Sequence, residues 1–158
     1  MRPFPLIQDG VHLGRCIIYI AMNMVRADRA DHPGGWKSCG YHELAGFRER
    51  NLIVDRERLL SCLGHRGDLK GFVKWYQHAI EEKLMSGDFS RQSIWTESSA
   101  IGDLEWIESL AKRYGIGRKT ILEMHEGSSR GVAVREERAS YGLKLSDRKR
   151  ADFTFGKI

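Results

Sequence analysis

Apolar residues recur at helical spacing in several stretches of this chain, and the polar breaks between them set the expected element boundaries. Residues 9–27 carry Val11, Cys16, Ile17, Ile20, Met24 and Val25 on one broad face, with Asp9 placed to cap the helix. Asp55 is the expected cap of a helix over 56–63 that Gly64 ends. Asp68 opens a longer helix in which Leu69, Phe72, Val73, Tyr76, Ile80 and Leu84 keep the period until Ser86, and Gly87 stops it. Gly102 or Asp103 begins a further helix with Leu104, Ile107, Leu110 and Ala111 inward, and residues 118–125 suit one more.

The intervening segments lack such a period. Residues 31–40 contain His-Pro-Gly-Gly and Ser-Cys-Gly, an irregular connection pinned by Trp36. Residues 41–54 show no clear repeat, although 51–54 suit a short extended piece, and residues 90–101 form a polar connection holding Trp95. Residues 131–137 read as a short strand or extended arm. The expected fold is mainly α: a small helical domain with long irregular connections, a candidate helix-turn-helix and a short C-terminal extended arm. It covers residues 1–138, and a basic, flexible tail follows over 139–158.

A chain of 158 residues can bury a core of its own, and 30% charged residues against 41% hydrophobic ones fit a folded soluble domain. The formal charge of +5 suits a polyanionic partner, because basic side chains release counterions from phosphates. Cys16, Cys39 and Cys62 are odd in number and follow no secretory signal, so a reducing cytoplasm is expected. The longest apolar run, 16–25, is too short for a bilayer, which needs about 20 residues, and no membrane partner is expected.

Residues 110–124, LAKRYGIGRKTILEM, have the layout of a helix-turn-helix. Ala111 is small where two helices would cross, Gly115 suits the left-handed turn, and Ile121 points inward. That arrangement exposes Arg118, Lys119 and Thr120 on the first turn of a recognition helix, with Arg113 close by, and these four are the candidate DNA-binding residues. Two core helices with a solvated basic face would give the same pattern.

Other chemistry is sparse. Cys39 with His42 and Cys62 with His65 form two Cys-x-x-His pairs, yet a buried Cys and surface histidines explain them without a metal. The pairs Glu81–Glu82, Glu105 with Glu108, and Glu136–Glu137 suit solvated helix faces or partners for Lys and Arg. Trp36, Trp75, Trp95 and Trp106 are spread as core or turn anchors rather than as a stacking platform. No phosphate-binding glycine loop, His-x-His pair or nucleophile elbow occurs, so no metal, cofactor or catalytic residue is expected.

Several blocks in order carry a resemblance: DGVHLGRC at 9–16, YIAMNMVRA at 19–27, HPGGW at 32–36 and GYHE at 40–43. WTESSAIG at 95–102, GRK at 117–119 and REERASYG at 135–142 follow. Over roughly residues 7–142 the chain resembles the distal part of bacterial REP-associated tyrosine transposases, of the HUH-type single-strand transposase family. The resemblance implies a relation to proteins that cut and rejoin single-stranded DNA at hairpins. They use a metal-holding His-hydrophobic-His pair and an attacking tyrosine. In that family both lie in a ferredoxin-like domain before the helix that Tyr19, Asn23 and Arg26 match.

Here that helix begins within twenty residues of Met1, and no tyrosine stands at the nucleophile's position. No catalytic residue carries over. The expectation is a truncated or degenerate transposase fragment with DNA-binding character and no strand cleavage of its own. The alternative is a structural or interaction remnant packing against a separately encoded nuclease domain.

Overall fold

The computed structural model describes residues 5–65, 68–114, 120–126 and 129–135. The chain is mainly α, as its periodicity predicts, with a small sheet along one side. Strand β1 (Leu6–Ile7) leads into α1 (Val11–Ala21) and, after Met22, the single turn α2 (Asn23–Arg26). A 3-10 turn (Pro33–Gly35), α3 (Tyr41–Leu44), α4 (Arg56–Cys62) and α5 (Leu69–Ser86) follow. The remaining elements are α6 (Ile94–Glu97), β2 (Ala100–Gly102), α7 (Leu104–Tyr114), β3 (Thr120–Glu126) and β4 (Ser129–Arg135).

Local chemistry accounts for most of the helix ends. Asp55 accepts from the Arg58 amide at 3.0 Å and Asp68 from the Gly71 amide at 2.8 Å, each satisfying a donor that the first turn leaves free. Gly87 ends α5 at φ +63°, a left-handed conformation that costs glycine nothing. Asp103 caps α7 by accepting from the Trp106 amide at 2.9 Å.

The principal core lies between α1, α2, α3, α4 and α5. Met22, Phe72, Tyr76 and Ile80 are almost wholly enclosed there, with Val25, Tyr41, Leu44 and Leu60 around them. Phe72 stacks on Tyr76, and Tyr41 leans on the same ring. The sheet order is β1-β2-β4-β3, with β1 parallel to β2 and the other pairs antiparallel. Alternation along the strands divides its faces. Ile101 and Ala133 pack with Cys16 and Trp95 on the α1 side, whereas Ala100 and Val134 pack with Ile107 under α7.

The structure corrects several expectations. Asp9 is not the cap of α1: Gly10 holds that position at φ +78° without a side-chain cap bond, and its amide donates to Cys62 O. The helix α1 is also buried on two sides rather than on one broad face, with Cys16 toward the sheet and Ala21 toward the helical core. Val11 and Ile20 are 58% and 57% exposed, while His12, Gly14, Cys16 and Ala21 turn inward. The reason is a close approach to α5, since a Cβ on Gly14 would stand 3.2 Å from Trp75 Cη2. Leu104, expected inward, is exposed.

Residues 51–54 pair with no strand among the described residues and are held instead by Glu43. Within the span of the expected helix over 118–125, the described residues, from Thr120 on, are β3, paired along its length with β4. Among the described residues the second helix of the helix-turn-helix is therefore not formed. The strand expected over 131–137 is β4, which begins two residues earlier, and the tail over 139–158 lies outside the described residues.

Candidate functional site

Of the four candidate DNA-binding residues, Arg113 and Thr120 are described, and neither lies on a recognition helix. Arg113 is exposed in the last turn of α7, its guanidinium 5.7 Å from the Tyr114 ring centre. Thr120 begins β3, and Arg118 and Lys119 lie outside the described residues.

The YIAMNMVRA segment does form a cluster. Tyr19 and Arg26 are seven residues apart, two helical turns, so the α1–α2 rod places them on one face. Arg26 Nη2 donates to Tyr19 O at 2.6 Å and to Asn23 Oδ1, and its guanidinium lies 3.7 Å from the Tyr19 ring centre. Such a cation over a ring face is attracted by the ring quadrupole. Tyr19 in turn packs on Trp95 at 5.7 Å, and Trp95 Nε1 donates to Gln92 Oε1 at 2.7 Å. Partial burial pulls the Arg26 guanidinium below its ordinary value, and its interaction with Tyr19 pulls it back. This layered stack walls a groove between α1 and α5 of about 310 Å³.

A second, shallower feature lies on the surface beyond the 3-10 turn. Lys37, Arg48 and Arg50 surround an open depression of about 540 Å³ with His42, Phe47 and Glu49. Phe47 is 65% exposed, and Arg48 Nη2 donates to Lys37 O at 3.2 Å. The turn beneath it is fixed by His32, whose Nδ1 accepts from the Gly34 amide at 2.9 Å while its Nε2 meets Glu81 at 3.3 Å. Sequence reasoning missed this surface, although Phe-Arg-Glu-Arg at 47–50 is the local signal for it.

The remaining titratable groups are occupied structurally. Among the described residues no three His, Cys, Asp or Glu side chains converge to hold a metal. Cys39 Sγ donates to Pro33 O at 3.2 Å, and His65 packs against Phe72 and Trp75. Burial pushes the Cys16 thiol up to about 11, which suppresses the thiolate a nucleophile needs. Desolvation, then Asp9, raises Cys62 as well. Glu81 and Glu82 pair with His32 and His78, and Glu105 and Glu108 are exposed on α7. Glu136 and Glu137 lie outside the described residues.

His12 gives a pH prediction. It is buried in the first turn of α1, its Nδ1 has no hydrogen-bond partner among the described residues, and desolvation followed by Arg15 lowers its pKa. The unfolded chain then binds more protons between the ordinary histidine value of about 6.5 and the lower folded value. Stability should therefore fall as pH drops through that window. Melting curves from pH 8 to pH 5 should show the decline, and His12→Gln should flatten it; parallel slopes would count against this origin.

Among the described residues no helix is long and apolar enough to cross a membrane. Compared with family models, curated proteins and solved structures, the chain gives no match.

Proposed function

We propose that this chain is a DNA-binding module related to the REP-associated tyrosine transposases, associated with transposition of hairpin elements through binding rather than through strand cleavage. The observation that carries the binding part is the open depression in which Lys37, Arg48 and Arg50 surround exposed Phe47. Cations there can replace phosphate counterions, and a projecting ring offers a face to unpaired bases. The relation to transposases rests on the resemblance, and the residues that carry it in α1 and α2, Tyr19, Asn23 and Arg26, form one cluster.

Anisotropy titrations with labelled hairpin and duplex DNA at several salt concentrations test this reading. Affinity should fall steeply with salt, and Lys37→Ala with Arg50→Ala should weaken binding roughly tenfold while reducing the salt slope by about two. Arg118→Ala with Lys119→Ala forms the second arm, asking whether the other basic segment contributes. Binding that is absent or indifferent to salt would overturn the proposal.

That outcome would leave the second reading, packing against a separate nuclease domain. The exposure of Ile20 on α1 favours it, because an apolar side chain there is 57% exposed on a helix otherwise packed into the fold.

A further inference from the structure

The groove between α1 and α5 is distinct from the open basic depression, and its chemistry is more restrictive. At about 310 Å³ it sits at the lower end of the roughly 300–1,000 Å³ usual for small-molecule sites. Ile18 and Ala79 contribute apolar surface, and Tyr19, packed on the buried Trp95, supplies a wall. Arg15, Arg26 and Lys83 bring positive charge to the same space, against Glu82 and Asp88.

The carboxylates are already engaged. Glu82 meets His78 at 3.4 Å, and Asp88 accepts from Ser90 N at 3.1 Å and Ser90 Oγ at 2.6 Å while facing Lys83 Nζ at 3.6 Å. Arg26 differs. Its hydrogen bonds given above go to neutral acceptors, and its remaining contact is a ring face, so its charge is held partly out of water without a carboxylate against it. Partly buried charge of this kind favours an anionic partner.

We propose that this groove binds a mononucleotide: a flat base against the Ile18 and Ala79 surface, with its phosphate monoester directed to Arg26 and Arg15. An inorganic anion would leave the apolar walls unused, and a neutral base would leave the guanidinium uncompensated. The same chemistry is presented by a free nucleoside monophosphate and by the phosphorylated end of a strand. The site does not depend on DNA binding at the Lys37–Arg50 surface.

Thermal melting with AMP, GMP, CMP and dTMP, beside the matching nucleosides and inorganic phosphate, tests the site on the full chain. At saturation at least one mononucleotide should raise Tm by about 5 °C, with nucleoside and phosphate each at least tenfold weaker. Ala79→Leu fills the floor without removing a charge, and should weaken binding at least tenfold. The Trp95 indole N–H resonance gives a readout in the unaltered chain and should move on titration. A 5′-phosphorylated oligonucleotide that displaces the mononucleotide identifies a strand end as the source; failure to displace identifies the free nucleotide. The proposal is overturned if no mononucleotide shifts Tm or the Trp95 resonance, if phosphate alone does as well, or if a folded Ala79→Leu variant binds undiminished.

Discussion

Replacing Glu43 by Ala should lower the unfolding free energy by about 3 kcal/mol, whereas Glu43→Gln should cost about 1 kcal/mol. Glu43 is 2% exposed at the end of α3, and its Oε1 accepts from the Ile53 amide at 2.9 Å and the Val54 amide at 2.7 Å. One carboxyl oxygen thus holds a segment that no strand pairs with. Hydrogen bonds to a carboxylate contribute about 1.5–3 kcal/mol each, and truncation also leaves a void beside the core. Glutamine keeps an oxygen in the same place. Arg56 reinforces the fold-back, donating to Glu43 O at 3.0 Å and Arg48 O at 2.9 Å. Urea unfolding of both variants checks the ordering, and equal losses would mean that side-chain volume contributes little and that an amide oxygen cannot replace the carboxyl there.

Gly102→Ala should cost about 3 kcal/mol and loosen the junction between sheet and α7. Gly102 is the last residue of β2, and a Cβ there would overlap Trp106 Cε3 and stand 2.7 Å from Gln8 Oε1. Gln8 cannot simply withdraw. Its Oε1 accepts from the Asp103 amide at 2.6 Å and its Nε2 donates to Asp103 Oδ2 at 2.7 Å, closing a clasp over the glycine. Overpacking typically costs about 1–3 kcal/mol, and opening the clasp adds about 1 kcal/mol per lost hydrogen bond. The destabilisation should appear in thermal melting; an unchanged Tm would show that Trp106 repacks freely.

Helix ends were the most legible part of the sequence, because their causes are local. Asp55, Asp68 and Gly87 act within a few residues of themselves, and each does what its residue type predicts. The α1 face was less legible, because His12 and Gly14 look unsuited to a core until the Trp75 ring is known to lie against the helix. Apolar count favoured Val11 and Ile20; proximity favoured the smaller residues.

The strand β3 shows the same limit more sharply. Ile121 and Met124 are three apart, as on a helix, but the ladder with β4 decides the conformation. In the sequence, Gly127-Ser128 is a dipeptide of the hairpin type, a signal that the helical spacing of 118–125 leaves out of account. Of the groove, Tyr19 and Arg26 could be placed on one face from their spacing. Trp95 could not, since its contact with Tyr19 depends on β2 returning the chain to α1. The depression around Phe47 needed only a basic-aromatic run, and went unread because its segment has no period.

The parallel pairing of Leu6 with Ala100 has a consequence for assembly. The helical core draws on residues between Ala21 and Ile80, whereas the sheet joins a strand preceding that core to strands following it. Closing so long a loop is entropically costly while the chain is extended, but much less so once the helices have brought its ends together. On a ribosome the helical layer can consolidate while β4 is still unmade. The first strand must then wait beside it, so the sheet completes a fold whose direction the helices have already set.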